Sequence, residues 1–422
     1  MVIMSNLSIN SFCCAFCDSN KLSKVIDFGS VSLAGGFLKP EGFSAECLYP
    51  LRVYFCEDCY AVQVVDVIPP DVLFNDYFYF SSSIGTLREH FKEYAQEVGA
   101  RFLENSAKSV VLEFGCNDGV LLRPLADLGI GTVIGVDPAE NVVSTIQDSR
   151  INIVNNFFNE DVAQEVVEKF GHLDLIMANN VFAHIPDIQG TTRAITRALS
   201  DDGVFVFEVH YLGNVINEMQ YDMIYHEHLY YYSLLSAQKH FERHGLMVFD
   251  IKFTSIHAGS IRFYVCKVGS KYSQMVSNEV RELAERELKQ GFNKYETYQR
   301  YSDQVAQHKE KLISLLEDLR NQGARVVGYG ASGRANTIIQ YCGINHQHIE
   351  SILDDAPAKW GFYTPGSHFE INSSALLDSE HPPDYVLVFA WSFYKEILQK
   401  SAKYLAAGGK MILPLPEVCI EP

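Results

Sequence analysis

From residue 109 onward, short unbroken apolar runs alternate with stretches that place apolar residues at helical spacing. VVLEFG reads as a buried strand, followed by a glycine turn and a helical LLRPLADLG. VIGVD, LDLIMAN and GVFVFEV continue the series, with AENVVSTIQD as a helix between the first two, and SIRFYVCKVG closes this unit near residue 269. Strands that alternate with helices predict a parallel sheet covered on both faces. The stretch from Gln274 to Asn321 is polar, charged and periodic, so it predicts helix, with a stop at Gln322-Gly323. A second alternating series follows in ARVVGYG, ANTIIQYCG, IESILDD, DYVLVFA, YKEILQKSAKYLAAG and KMILPLP, which predicts a smaller Rossmann-like sheet. Ahead of both, residues 85–105 read as one or two amphipathic helices, and the first 75 residues as short apolar pieces cut by Gly and Pro. The expected fold is therefore α/β. A small β-rich module spans 1–75, a Rossmann-like core 76–272 and a second Rossmann-like domain 273–422.

Composition narrows the function. A chain of 422 residues with 47% hydrophobic content can fill more than one core. A net charge of −18 argues against a nucleic-acid surface, because phosphate backbones want a basic field. No run approaches the roughly 20 apolar residues of a membrane span. The start, MVIMSNLSINSFCCAFC, lacks the basic and apolar segments of a secretory signal. A cytoplasmic protein with reduced thiols is expected, either a monomer or a weak homodimer.

Four of the ten cysteines form two pairs, Cys14-x-x-Cys17 and Cys56-x-x-Cys59. A two-residue gap lets a tight turn aim both sulfurs at one tetrahedral Zn²⁺. Four thiolates leave no open position, so the site should be structural, with Cys13 as an alternative first ligand. Buried free cysteines are the plainer alternative.

VLEFGCNDG, residues 111–119, places a strand before a glycine turn and a helix. Gly115 and Gly119 let the backbone bend beneath a ligand. Asp137, about twenty residues on, is placed to accept ribose hydroxyls. The phosphate-cradling G-x-G-x-x-G is absent here, and Glu113, Asn117 and their polar neighbours suit a cationic amino-acid ligand. This is the S-adenosylmethionine reading; a plain strand–turn–helix with a capping Asp is the alternative. Phe157 or Phe158 would cover the adenine or enter the core, and Asn179 and Asn180 end the strand where ligands gather in open α/β sheets.

IYHEHLYYYSL, residues 224–234, concentrates groups that move protons. His226 and His228 are two apart, which cannot place both on one helical face for zinc. One of them as a general base, helped by Glu227 or Tyr225, is more economical. His184, just past the LDLIMAN strand, belongs to the same sheet mouth. In the last domain Gly328, Gly330 and Gly333 form a true G-x-G-x-x-G before a helix, with Arg334 in its first turn. Alone it would suggest a dinucleotide site, with Asp354 or Asp355 as the acid, and hence an NAD-dependent sugar oxidoreductase. A helix start holds a sugar-nucleotide pyrophosphate equally well. A non-catalytic zinc scaffold is a third reading.

These motifs in this order, the paired CxxC, DYFYFSSS, VLEFGCNDG, ANNVFAHIPD, YHEH, HAGSIR and GYGASGRANT with PDYVLVFAWSF, resemble the sugar C-methyltransferases of deoxysugar pathways over the whole chain. The resemblance implies methylation through an enolate at carbon 3 of a dTDP-linked 4-keto-6-deoxyhexose. It implies His228 as base, with Glu227, Tyr225, Tyr79 and His184 around it. It also implies a C-terminal domain that helps hold the sugar nucleotide. Phe80, Ala258 and Cys116 stand where relatives commonly carry His, Gly and Ser.

Overall fold

A computed structural model gives the fold, described for residues 12–74, 81–83 and 85–421. The first strands are β1 (Leu22–Val31), β2 (Tyr49–Cys56) and β3 (Val62–Val64). In β2, Leu51, Val53 and Phe55 alternate inward, as a half-buried antiparallel strand requires. Then come β4 (Val110–Phe114), β5 (Thr132–Val136), β6 (Ile151–Val154), β7 (Leu173–Asn179), β8 (Leu199–His210), a two-residue β9 (Tyr230–Tyr231), β10 (Leu246–Thr254) and β11 (Ser260–Lys267).

Seven of these form one sheet in the order β10-β11-β8-β7-β4-β5-β6. From β6 to β8 the neighbours are parallel, and β11 runs antiparallel to both β8 and β10. Apolar cores lie on both faces, which is why these strands are unbroken apolar runs rather than alternating ones. HGLMVFDIKFT, the source of β10, carries the least regular pattern, and the sequence reading passes over it. The order of the parallel strands reverses between β4 and β7, so the crevice for a ligand lies beyond their carboxyl ends.

The last unit contains β12 (Val326–Tyr329), β13 (Ile352–Asp354), β14 (Ile371–Ser373), β15 (Tyr385–Val388), β16 (Lys410–Leu413) and β17 (Cys419–Glu421), ordered β14-β13-β12-β15-β16-β17. Only β17 pairs antiparallel in this sheet.

Two departures from the sequence reading have plain causes. The single helix expected over 274–321 is two, Asn278–Gln290 and Tyr295–Asn321, because Gly291 takes a left-handed φ of 80° and caps the first. The N-terminal module is not separate either. Its sheet runs β1-β2-β3-β9, so its last strand comes from the YHEH segment, with Val62 opposite Tyr231 and Gln63 opposite Tyr230. A further apolar core joins this sheet to the helix Tyr295–Asn321 and to the third unit.

Candidate active site and metal centre

The two cysteine pairs fold alike. The backbone N–H groups of Asp18 and Tyr60 each donate to the carbonyl of the first cysteine of their pair at 2.8 Å. Both residues adopt left-handed φ, 61° and 66°. This shared turn brings the four sulfurs within 4.8 Å of one another, with Cys14 and Cys59 3.4 Å apart and Cys17 and Cys56 3.6 Å apart. These gaps are too long for a disulfide. They suit a tetrahedral ion, since Zn–S bonds of about 2.3 Å put sulfurs about 3.8 Å apart. Cys13 is exposed and outside the cluster, so Cys14 is the thiol placed to serve as the first ligand.

At the sheet mouth, Glu113, next to last in β4, faces Asn179 at the end of β7, whose Nδ2 donates to Glu113 Oε1 at 3.0 Å. Both side chains are buried, and Glu113 Oε2 and Asn179 Oδ1 have no partner among the described residues. Two idle acceptors fit the donors of an ammonium group, as the methionine end of S-adenosylmethionine supplies. Burial, reinforced by the charges of Asp137 and Asp118, pushes the Glu113 carboxyl up to about 8.

Gly115 turns the chain with φ 65°, and a Cβ there would stand 2.2 Å from Val181 Cγ2. A side chain is thus excluded twice over. Gly119 (φ 74°) and Asn117 (φ 50°) complete the turn. Asp137 directly follows β5 and accepts from the N–H groups of Asn117 and Ala139, both at 2.9 Å, which fixes its carboxylate. Ser81 N–H donates to Asn117 Oδ1 at 3.0 Å, so the segment after DYFYF lies over this turn. Tyr79 and Phe80 themselves are outside the described residues. The two candidate phenylalanines separate cleanly. Phe158 stacks in the core on Phe114 at 4.7 Å, whereas Phe157 is 43% exposed at the rim. Asn180 takes φ 55° and donates its N–H to the Glu208 carbonyl at 2.8 Å.

The YHEH segment divides its histidines. His226 is buried and donates through Nε2 to the Pro50 carbonyl at 3.0 Å, a tie to the first sheet. His228 faces the cleft. Its ring lies 4.1 Å from that of Tyr225 and 5.1 Å from that of His184, stacked on the latter. His228 Nδ1 is 2.7 Å from the Met223 carbonyl, which can only accept, so Nδ1 carries the proton and Nε2 is left as an acceptor. Burial holds His228 down to about 4 and His184, with help from the His228 charge, down to about 3. Burial lifts Glu227 to about 7.

All three units wall this cleft. A Cβ on Gly35 would lie 3.5 Å from Glu227 Oε1, and one on Gly333 would lie 3.3 Å from Ala34 Cβ and 3.7 Å from Tyr225 Cζ. Gly328 and Gly330 instead pack under Phe389 and Ala390, leaving Gly333 and Arg334 as the motif residues that reach the cleft. Arg334 Nε donates to Asp222 Oδ2 at 2.8 Å, and its Nη2 is buried with no partner among the described residues. Asp354 is already engaged by Lys359 Nζ at 3.0 Å and by the Ala331 N–H at 2.9 Å.

The sequence reading missed several groups. Arg262 of β11 pairs across the sheet with Glu208 of β8, and His90 reaches Glu208 Oε1 at 2.8 Å, a buried charge network beside the cleft. His257, Ala258 and Gly259 all have positive φ, 51°, 63° and 108°, and the loop is pinned where Gln220 Nε2 donates to the Ala258 carbonyl at 3.0 Å. The motif HAGSIR marked the place but not these roles.

Among the described residues, no helix is long and apolar enough to cross a membrane. Three family models match in series: a zinc-binding domain over residues 14–74, a methyltransferase domain over 87–250 and a C-methyltransferase C-terminal domain over 255–416. The C-methyltransferase NovU of Streptomyces niveus is 33% identical over 405 residues, which cover 96% of this chain and 95% of NovU. The mitochondrial ubiquinone biosynthesis O-methyltransferase of Bos taurus is 30% identical over 102 residues, 22% of this chain and 26% of that one. Among solved structures, the magnesium protoporphyrin IX methyltransferase ChlM of Synechocystis PCC 6803 with bound SAH matches 43% of this chain and 83% of its own at 16% identity, with a TM-score of 0.34.

Proposed function

The chain belongs to the C-methyltransferase family, and from that premise we propose that it methylates carbon 3 of a nucleotide-linked 4-keto-6-deoxyhexose, carried on dTDP, in the cytoplasm. The observation that carries this reading is the set tautomer of His228, which leaves Nε2 an acceptor, with its ring stacked on that of His184 in the loop that follows Asn179. Bound S-adenosylmethionine supplies an electrophilic methyl group. Glu113 and Asn179 accept its ammonium, Asp137 its ribose, and Phe157 borders its base, with Gly115, Asn117, Gly119 and Asn180 shaping the turn around it.

Carbon 3 of such a sugar carries a hydrogen acidified by the neighbouring carbonyl. His228 Nε2 removes that proton. Tyr225 and His184 donate toward the enolate oxygen. Donors aimed at charge that develops in the transition state are each worth about 3–4 kcal/mol. Burial keeps His228 neutral, as a base must be, and an anionic substrate closing over it raises its proton affinity. Glu227, lifted by the same burial, stands beside the base as a proton relay. Gly333 and Arg334, at the start of the helix Gly333–Cys342, hold the pyrophosphate end. The oxidoreductase reading draws no support from Asp354, whose carboxylate is neutralised by Lys359.

Incubation with S-adenosylmethionine and a panel of nucleotide-linked 4-keto-deoxysugars, followed by mass spectrometry, tests the proposal. A gain of one methyl on a 4-keto-6-deoxyhexose is expected. No gain on any member, with NAD-dependent turnover instead, would reverse it.

A further inference from the structure

Phe16 sits between the knuckle cysteines Cys14 and Cys17, and its ring packs on those of His240 at 4.6 Å, Tyr230 and Tyr232. It is 1% exposed and lies 5.1 Å from the ring of Tyr230 and 5.5 Å from that of Tyr232. Each tyrosine donates its hydroxyl to one side of the loop that carries His184. Tyr230 reaches the Pro186 carbonyl at 3.1 Å, and Tyr232 the Phe182 carbonyl at 3.2 Å. Tyr230 also follows His228 by two residues. Alongside it, the knuckle turn donates Ala15 N–H to the buried Gln63 Oε1 at 3.0 Å. Gln63 is the β3 partner of Tyr230. Val64 N–H donates to the Leu229 carbonyl at 2.8 Å, and Leu229 N–H to the Ala183 carbonyl at 2.9 Å. Knuckle, β3, β9 and the His184 loop are thus one continuous stack, in the same apolar core as Cys14, Cys56 and Cys59.

We infer that the cysteine knuckle is the frame on which the His184–His228 pair is set, with Phe16 as the positioning residue that transmits it. A module that served only its own stability would need none of these contacts. The β9 pairing and both tyrosine hydroxyls instead spend the knuckle's rigidity on the two segments that border the cleft. This inference rests on the proposed role of His228, but its test does not.

The test compares Phe16→Ala with Phe28→Ala in the zinc-loaded full chain, zinc content being measured for each. Phe28 is buried in β1 of the first sheet, where its ring meets that of Tyr341 at a tilt, 4.8 Å between centroids, rather than those of Tyr230 and Tyr232. The readouts are the imidazole ¹H–¹⁵N resonances of His184 and His228, S-adenosylhomocysteine affinity, and kcat against KM. Phe16→Ala is expected to shift both imidazole spectra and to lower kcat by about 100-fold, the cost of a misplacement near 1 Å. KM and cofactor affinity should hold, and Phe28→Ala should leave the imidazole spectra as they are. Should Phe16→Ala lose zinc, Phe16→Leu is read in its place, with a smaller loss of kcat expected. Imidazole spectra that match the native protein in a zinc-loaded Phe16 variant, or that move equally in Phe28→Ala, would overturn the inference. Displaced rings with undiminished turnover would uphold the bracing and remove His228 from the base role.

Discussion

Arg334 donates through Nε to Asp222 at 2.8 Å, which ties the first turn of the glycine-motif helix to the residue three places ahead of Tyr225. Trp391 Nε1 donates to the same carboxylate oxygen at 2.9 Å, and the guanidinium lies 4.8 Å from the Trp391 ring centroid. Asp222 is fully buried, and the Arg334 side chain is 17% exposed. The pair closes the third unit onto the core at the edge of the cleft.

Replacing Asp222 by Ala strands that guanidinium without its counter-charge. Breaking a buried pair in this way costs roughly 3–5 kcal/mol, to be read from the denaturant midpoint at constant slope. KM for the sugar nucleotide should rise while S-adenosylhomocysteine affinity holds, because neither Glu113 nor Asn179 takes part in this contact.

Cofactor binding should release a proton. Burial holds the Glu113 carboxyl near 8, so at pH 7 it is protonated. An ammonium placed against Oε2 favours the carboxylate and expels that proton. Affinity therefore rises with pH up to about 8. Calorimetry in buffers of different ionisation enthalpy should register about one proton released near neutrality, and Glu113→Gln should abolish the buffer dependence. A buffer-independent heat in the native protein would contradict the assignment.

The acid limb of stability should carry the signature of His228. Its folded value is about 4 against an ordinary 6.5. Between those values the unfolded chain binds the additional proton, so stability rises with pH there. The contribution is complete above 6.5 and is lost as pH falls toward 4. His184, lowered to about 3, acts in the same direction. Glu227, raised to about 7 from 4.5, opposes them, since it withdraws stability as pH rises through that interval. His228→Gln should flatten the melting-temperature profile on its acid side, as followed by calorimetry from pH 4 to 7.

What the sequence disclosed follows the range of the interactions concerned. The knuckles were legible because a two-residue spacing is local, and the turn at Gly115 because glycine is needed where φ is positive and Val181 crowds the backbone. The choice between His226 and His228 was not local. It depends on Pro50, far away in sequence, capturing one ring while the Met223 carbonyl fixes the other. The strand β9 escaped notice because two residues have no period, and it exists only through β3. Arg262 and Glu208 became partners only once the antiparallel register of β11 on β8 set them opposite each other. The break at Gly291 was readable in principle, as a glycine inside a polar helical stretch, but the flanking periodicity concealed it.

Solvent hydrogen exchange isolates the central claim most directly. The full chain is incubated in D₂O with the dTDP-linked keto-sugar and S-adenosylhomocysteine, so that no methyl can be transferred. The account predicts deuterium at carbon 3 with the native protein and none above the uncatalysed rate with His228→Ala, whose cofactor affinity stays intact. Exchange at the native rate in that variant would contradict it.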